Sequence, residues 1–271
     1  MALYTITGLL VIVYGDALQV EVRGQRFTIS LDEVSSISFI GNDSDISGNS
    51  ISGSTGAAAG RSNEAKQFII RETAYYASPS SIQSSTVFVL WTAVIENPNT
   101  DFYGEFPTIT ITARDANGLV IGTEDQVLNE LPPGGTVAFS SQMTATKVPA
   151  TVGFSAAKTR WQRTDTKPSD YPAFTSRGIS VTPTDTPSVY TVTGEIVNPY
   201  GSEVDQLSVT ALFRDASGKL LGGAGEFLNN LPARGSRPFE FNRYYVPGSV
   251  SRVEIVANTW GSVHLYRLIG R

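Results

Sequence analysis

An internal repeat of about 100 residues constrains this chain more than any other feature, because it dictates that one architecture is built twice. Val89-Leu-Trp-Thr-Ala-Val-Ile-Glu-Asn97-Pro98 matches Tyr190-Thr-Val-Thr-Gly-Glu-Ile-Val-Asn198-Pro199, each an alternating strand stopped by Asn-Pro. Thr108–Gly118 matches Ser208–Gly218 in the same register. Ile109, Ile111 and Ala113 share one face with Val209, Ala211 and Phe213, and Thr108 and Thr110 share the other with Ser208 and Thr210. Asp115-Ala-Asn-Gly118 and Asp215-Ala-Ser-Gly218 read as hairpin turns in which the Asp accepts backbone N–H bonds and the Gly supplies a positive φ. Leu131-Pro-Pro-Gly-Gly135 and Leu231-Pro-Ala-Arg-Gly235 then lead into strands carrying Phe139 and Phe239. Val148-Pro149 and Val246-Pro247 open last strands that end at Trp161 and Trp260, which the repeat places on one another.

About seven short strands in roughly 95 residues, with turn signals every 8 to 12, predict an immunoglobulin-like sandwich in each copy. The whole chain is therefore expected to be all-β: two tandem immunoglobulin-like β-sandwiches preceded by a small β-meander or barrel unit. The expected limits are 1–40 for that unit, 41–64 for a Gly/Ser/Asn linker, 65–163 and 170–262 for the sandwiches, and 263–271 for a tail. The segment 162–172, with Pro168 and Pro172, is expected to be a stiff joint that limits the angle between the sandwiches.

These residues resemble the bacterial FxLYD-type domains, relatives of the late-embryogenesis-abundant type-2 sandwich. The resemblance rests on the Asn-Pro strand end, on Phe213-Arg214-Asp215 with Gly218, and on the Leu-Pro-x-x-Gly turn before a Phe strand. The first copy departs from it at Ala113. The resemblance implies a fold and a role as an envelope or extracellular accessory module, and it brings no catalytic residues.

The N-terminal unit reads as four strands, Tyr4–Tyr14, Ala17–Arg23, Gln25–Ser30 and Ser35–Ile40. Its last part, Ile29–Phe39, is similar to the end of small SH3-like or Sm-like barrels. Arg23 and Arg26 face Asp16, Glu21, Asp32 and Glu33, an unfavourable balance for nucleic acid. Ala2–Val13 lacks a basic leader and a cleavage site, so it reads as a strand and not as a signal peptide. Tyr4, Ile6, Leu9, Leu10, Val11, Ile12 and Val13 are apolar on both faces of that strand. A unit of about 40 residues offers one core at most, so the strand is expected to seek cover on another chain, making a homo-oligomer the expected partner state.

Charge and chemistry narrow the function further. The formal net charge is −5 and the 20 Lys and Arg are scattered, which argues against nucleic acid and anionic membrane as partners. No run of about 20 apolar residues predicts a membrane span. The chain has no cysteine, which excludes disulfides, thiolate catalysis and cysteine metal sites. Its single histidine, His264, reads as a partly exposed tail residue. Asp43-Ser-Asp45-Ile-Ser47-Gly48 starts like a calcium loop but has Ser54 where a bidentate Glu is required, and it reads as solvated linker. No cofactor and no catalytic residue is predicted. Trp91, Trp161, Trp260, Phe139 and Phe239 read as core. Phe102, Tyr103 and Tyr200 follow Asn-Pro in equivalent loops and are the candidate contact surface. The sequence thus points to a non-enzymatic structural or interaction protein that assembles with itself or serves as an envelope or extracellular scaffold. The alternative is a carbohydrate- or ligand-binding module using the loop aromatics.

Overall fold

The computed structural model describes residues 10–14, 17–22, 25–30, 64–79 and 86–269. The chain divides into two compact units, Met1–Gly60 and Arg61–Arg271. In the first, β1 (Leu10–Tyr14), β2 (Ala17–Val22) and β3 (Gln25–Ser30) form an antiparallel sheet in the order β1-β2-β3. Tyr14 faces Ala17 and Val22 faces Gln25, so two residues separate each pair of strands, and the second strand ends one residue before the expected Arg23. The expected fourth strand, the positions Tyr4, Ile6 and Leu9, and the tract 41–61 with Asp43–Gly48 lie outside the described residues.

The second unit holds both repeats. Repeat 1 comprises β4 (Ile69–Pro79), β5 (Val87–Glu96), β6 (Phe102–Glu105), β7 (Thr108–Arg114), β8 (Val120–Val127), β9 (Glu130–Leu131), β10 (Thr136–Ala145), β11 (Thr151–Ala156) and β12 (Arg160–Arg163). Repeat 2 comprises β13 (Thr175–Pro183), β14 (Val189–Val197), β15 (Val204–Arg214), β16 (Leu220–Leu231), β17 (Ser236–Tyr245) and β18 (Arg252–Thr259), followed by one helical turn, α1 (Leu265–Leu268). The sheet β10-β5-β4 corresponds to β17-β14-β13, and β11-β7-β8 to β18-β15-β16, all antiparallel. Strand order is the same in both copies.

The copies differ where the backbone must break. Phe106 has φ 51° and Pro107 has no N–H to donate, so repeat 1 splits into β6 and β7 what repeat 2 keeps as the single strand β15. The small sheet β12-β6-β9 results. Trp161 pairs with Gly104 there, and a Cβ on Gly104 would lie 2.9 Å from the indole, so the glycine makes room for the ring. Trp260 instead donates its N–H to Gln206 O. Strand register therefore sets Trp260 two residues away from the Trp161 position. The expected equivalence of the two tryptophans is corrected, since backbone pairing and not side-chain identity fixes the register.

The turn chemistry agrees in both copies. Asp115 Oδ1 accepts the N–H of Asn117 and Leu119, and Asp215 Oδ1 accepts those of Ser217 and Lys219. Lys147 beside Asp115, and the Ser217 hydroxyl beside Asp215, hold these carboxyls below their ordinary range. Asn97 and Asn198 are 1% exposed, and each spans its Leu-Pro turn by donating to Pro132 O or Pro232 O.

Each repeat has a core of its own. Trp91, Ile95, Ile109, Ile111 and Met143 fill the first, and Ile196, Leu207, Phe213 and Phe241 the second. A third core joins them. Val94 and Ala138 on the outer face of β10-β5-β4 pack on Leu212 and Leu220 on the outer face of β16-β15-β18, so four sheets stack in one body. Thr210, read from sequence as outward-facing, does face away from its own core, but it is fully buried by repeat 1 and donates to Ala138 O at 3.1 Å. Ser140 Oγ donates to Gly223 O at 2.9 Å across the same seam. The joint expected to limit angles is thus closed by packing.

Arg214 supports the seam with charge. Its guanidinium binds both carboxylate oxygens of Glu72 in repeat 1, at 2.6 and 2.8 Å, and reaches Glu254 at 3.2 Å. The equivalent Arg114 is exposed and bonds only its own turn at Gly118 O. Arg214→Ala is expected to cost about 1 kcal/mol in urea denaturation, because it removes the buried side chain that packs in the seam and pairs with Glu72 and Glu254, which stay partly solvated. Arg114→Ala should leave the midpoint unmoved.

Candidate functional site at the seam between the repeats

The candidate contact aromatics are not on the surface. Phe102 and Tyr103 lie in β6 at 7% and 4% exposure, and Tyr200 is at 3%. Phe102 sits under the Arg163 guanidinium, whose centre is 5.0 Å from the ring. Tyr103 meets Tyr171 and Tyr266, each at 6.0 Å between ring centroids. Tyr200 packs on Phe174 and donates its hydroxyl to Pro172 O at 2.8 Å. The expectation of a loop surface is corrected: the segment 162–174 and the C-terminal residues close over these rings, where burial of about 150–250 Å² per aromatic outweighs exposure.

The tail is likewise part of the body. Residues 260–269 run from the end of β18 across the seam. Val263 is buried in the second core, Trp260 stacks on Phe139 of repeat 1 at 5.0 Å, and Asn129 Nδ2 donates to Val263 O at 2.6 Å. Glu130 on β9 stands at the centre with 2% exposure. Its two oxygens accept the Leu265 N–H, each at 3.0 Å, and Oε1 also accepts the Thr259 hydroxyl. His264 is sandwiched between Phe106 and Tyr266 with Nδ1 3.6 Å from Glu130 Oε2. That separation is too long for a hydrogen bond, so the pair is an electrostatic contact, and among the described residues His264 Nδ1 and the Tyr103 hydroxyl are buried without a hydrogen-bond partner.

Burial pushes the Glu130 carboxyl up, against the opposing pull of His264 and the Leu265 amide. The carboxylate in turn raises the His264 imidazole, with burial and Arg267 opposing. Burial, with Glu130 and Tyr171 adding, raises the Tyr200 phenol. This cluster escaped sequence reasoning because repeat 2 has Asn230 where repeat 1 has Glu130. That departure from the repeat, on a turn otherwise shared, was the available signal.

Two clefts open along the seam. One of about 120 Å³ touches Glu130, Tyr171, Tyr200 and Leu265. The other, of about 240 Å³, is lined by Phe139, Ser141, Gln142, Glu226, Phe227 and Tyr244. Phe227 is half exposed there. Among the described residues no group of three or more His, Asp or Glu side chains is placed to hold a metal ion, and no helix is long and apolar enough to cross a membrane. No family model matches the chain, and no curated protein matches it.

Proposed function

We propose that this is a non-enzymatic structural and interaction protein, in which the two fused repeats form a rigid block and the N-terminal β-unit links one chain to the next. The observation that carries the reading is the place of Leu10–Tyr14 at the edge of the described β1-β2-β3 sheet. Among the described strands Leu10-Val11-Ile12-Val13-Tyr14 is paired on one side only, and it has the composition that pairs with another chain. Repeat 1 adds support: Leu119, Val120 and Val148 are 64%, 45% and 56% exposed at the end that carries the Asp115 turn. Exposed aliphatic groups of this size favour a protein contact. The FxLYD-type resemblance and the envelope or extracellular setting that it implies belong to the same proposal. A ligand-binding reading would have to use the Phe227 cleft, since the loop aromatics are buried.

Light scattering tests the assembly. The full chain is expected to run as an oligomer, and the segment 61–271 and the full-length Ile12→Lys variant as monomers. A full chain that is monomeric at high concentration, or an oligomer untouched by either change, refutes the proposal.

A further inference from the structure

The C-terminal segment meets repeat 1 at a buried carboxylate. Glu130 belongs to repeat 1, while Thr259, His264 and Leu265 follow from the last strand of repeat 2. A 2%-exposed carboxylate has little water to stabilise its charge, so the ionised form relies on what faces it. Its partners are the Thr259 hydroxyl, the Leu265 amide and the His264 imidazole. Of these only the imidazole supplies a full positive charge, and only while protonated. The other ionisable groups around the pair are Glu105 from β6, which favours the imidazolium, and Arg267 from α1, which disfavours it. The phenols of Tyr103, Tyr171, Tyr200 and Tyr266 complete the surround.

We propose that Glu130, His264 and the Leu265 amide form a proton-dependent clamp through which the segment 260–269 holds the two repeats together, closed while His264 carries its proton and loosening as that proton is lost. The sign follows from geometry and linkage together. Both groups hold their protons more tightly in the folded protein than their ordinary values of 4.5 and 6.5. The contribution of the imidazole is therefore fully present below 6.5 and is lost as pH rises through its raised folded value, while the carboxyl supplies its charge to the pair only above its own folded value. Deprotonation of His264 leaves a buried carboxylate facing a neutral ring, and the segment lifts to let water in. The clamp acts within one chain and stands apart from the assembly proposed above.

Because the chain has a single histidine, its imidazole C–H resonances report this site alone. In the full chain the titration midpoint is expected above 6.5, and in Glu130→Gln it should move down. Between 6.5 and the midpoint, hydrogen exchange at the Leu265 amide, corrected for its intrinsic rate, is expected to speed up by up to about tenfold per pH unit, and above the midpoint it levels off. His264→Gln should remove the step that follows the imidazole titration, which keeps the test decisive if Glu130→Gln does not fold. A midpoint at or below 6.5 in the wild-type chain overturns the proposal, as does Leu265 protection that is equal on the two sides of the midpoint.

Discussion

Valine in place of Gly225 is expected to force the repeats apart, with a loss of about 3 kcal/mol or more. A Cβ at Gly225 would lie 2.5 Å from the backbone oxygen of Ser140, and backbone in the middle of a paired strand has nowhere to retreat. Gly223 is nearly as tight, with Thr92 Oγ1 at 2.8 Å and Ala211 O at 2.9 Å. Gly222, between them and the turn, has open space where its Cβ would be, so Gly222→Ala serves as the control and should be close to neutral. In a urea melt Gly225→Val is expected to replace one transition by two, as the third core of Val94, Ala138, Leu212 and Leu220 opens to water. A variant that melts like the wild type would show that the seam contributes nothing to the fold.

The second large effect lies in the separate cores. Trp91 and Phe241 are 1% and 0% exposed, and truncating either to alanine should cost about 3–5 kcal/mol. Because β10-β5-β4 is packed on both faces, loss of Trp91 also weakens the support under Leu212, and loss of Phe241 acts through β16-β15-β18 in the same way. Each variant is therefore expected to unfold in one transition at a lowered midpoint, as seen by calorimetry. Two transitions, of which only that of the mutated repeat has moved, would mean that the repeats fold independently.

Much of the fold was legible because it is written in local chemistry. Asn97 and Asn198, the Asp115 and Asp215 turns and the alternating strands are set by residues near one another in sequence, and the structure has them in matching roles. The seam was not legible, because a face covered by a second sheet looks the same in sequence as a face covered by solvent when it carries Ser208 and Thr210. Its traces were Leu212 in the row of Ser and Thr, and the glycines of Gly222-Gly223-Ala224-Gly225 within a strand. Tyr103 and Tyr200 were misplaced, and the contact of His264 with Glu130 was missed, for a related reason. Their cover comes from residues 162–174 and 260–269, and no periodicity in a loop or tail shows where it folds back.

The stacking of unlike sheets also gives the body a direction. Repeat 1 offers the sheet built on β5, and repeat 2 answers with the sheet built on β15, which is not the equivalent one. Such a contact is head-to-tail: nothing in its symmetry closes it, and the same step could add a third and a fourth copy without end. The counterparts of the two buried faces differ from them in sequence. Where Val94 sits in the seam, the free sheet of repeat 2 carries Glu195, paired with Arg177. Where Leu212 sits, the free sheet of repeat 1 carries Thr112. Polar side chains at these two positions fit a dry contact less well than Val94 and Leu212 do, which disfavours the addition of a third copy by the same step.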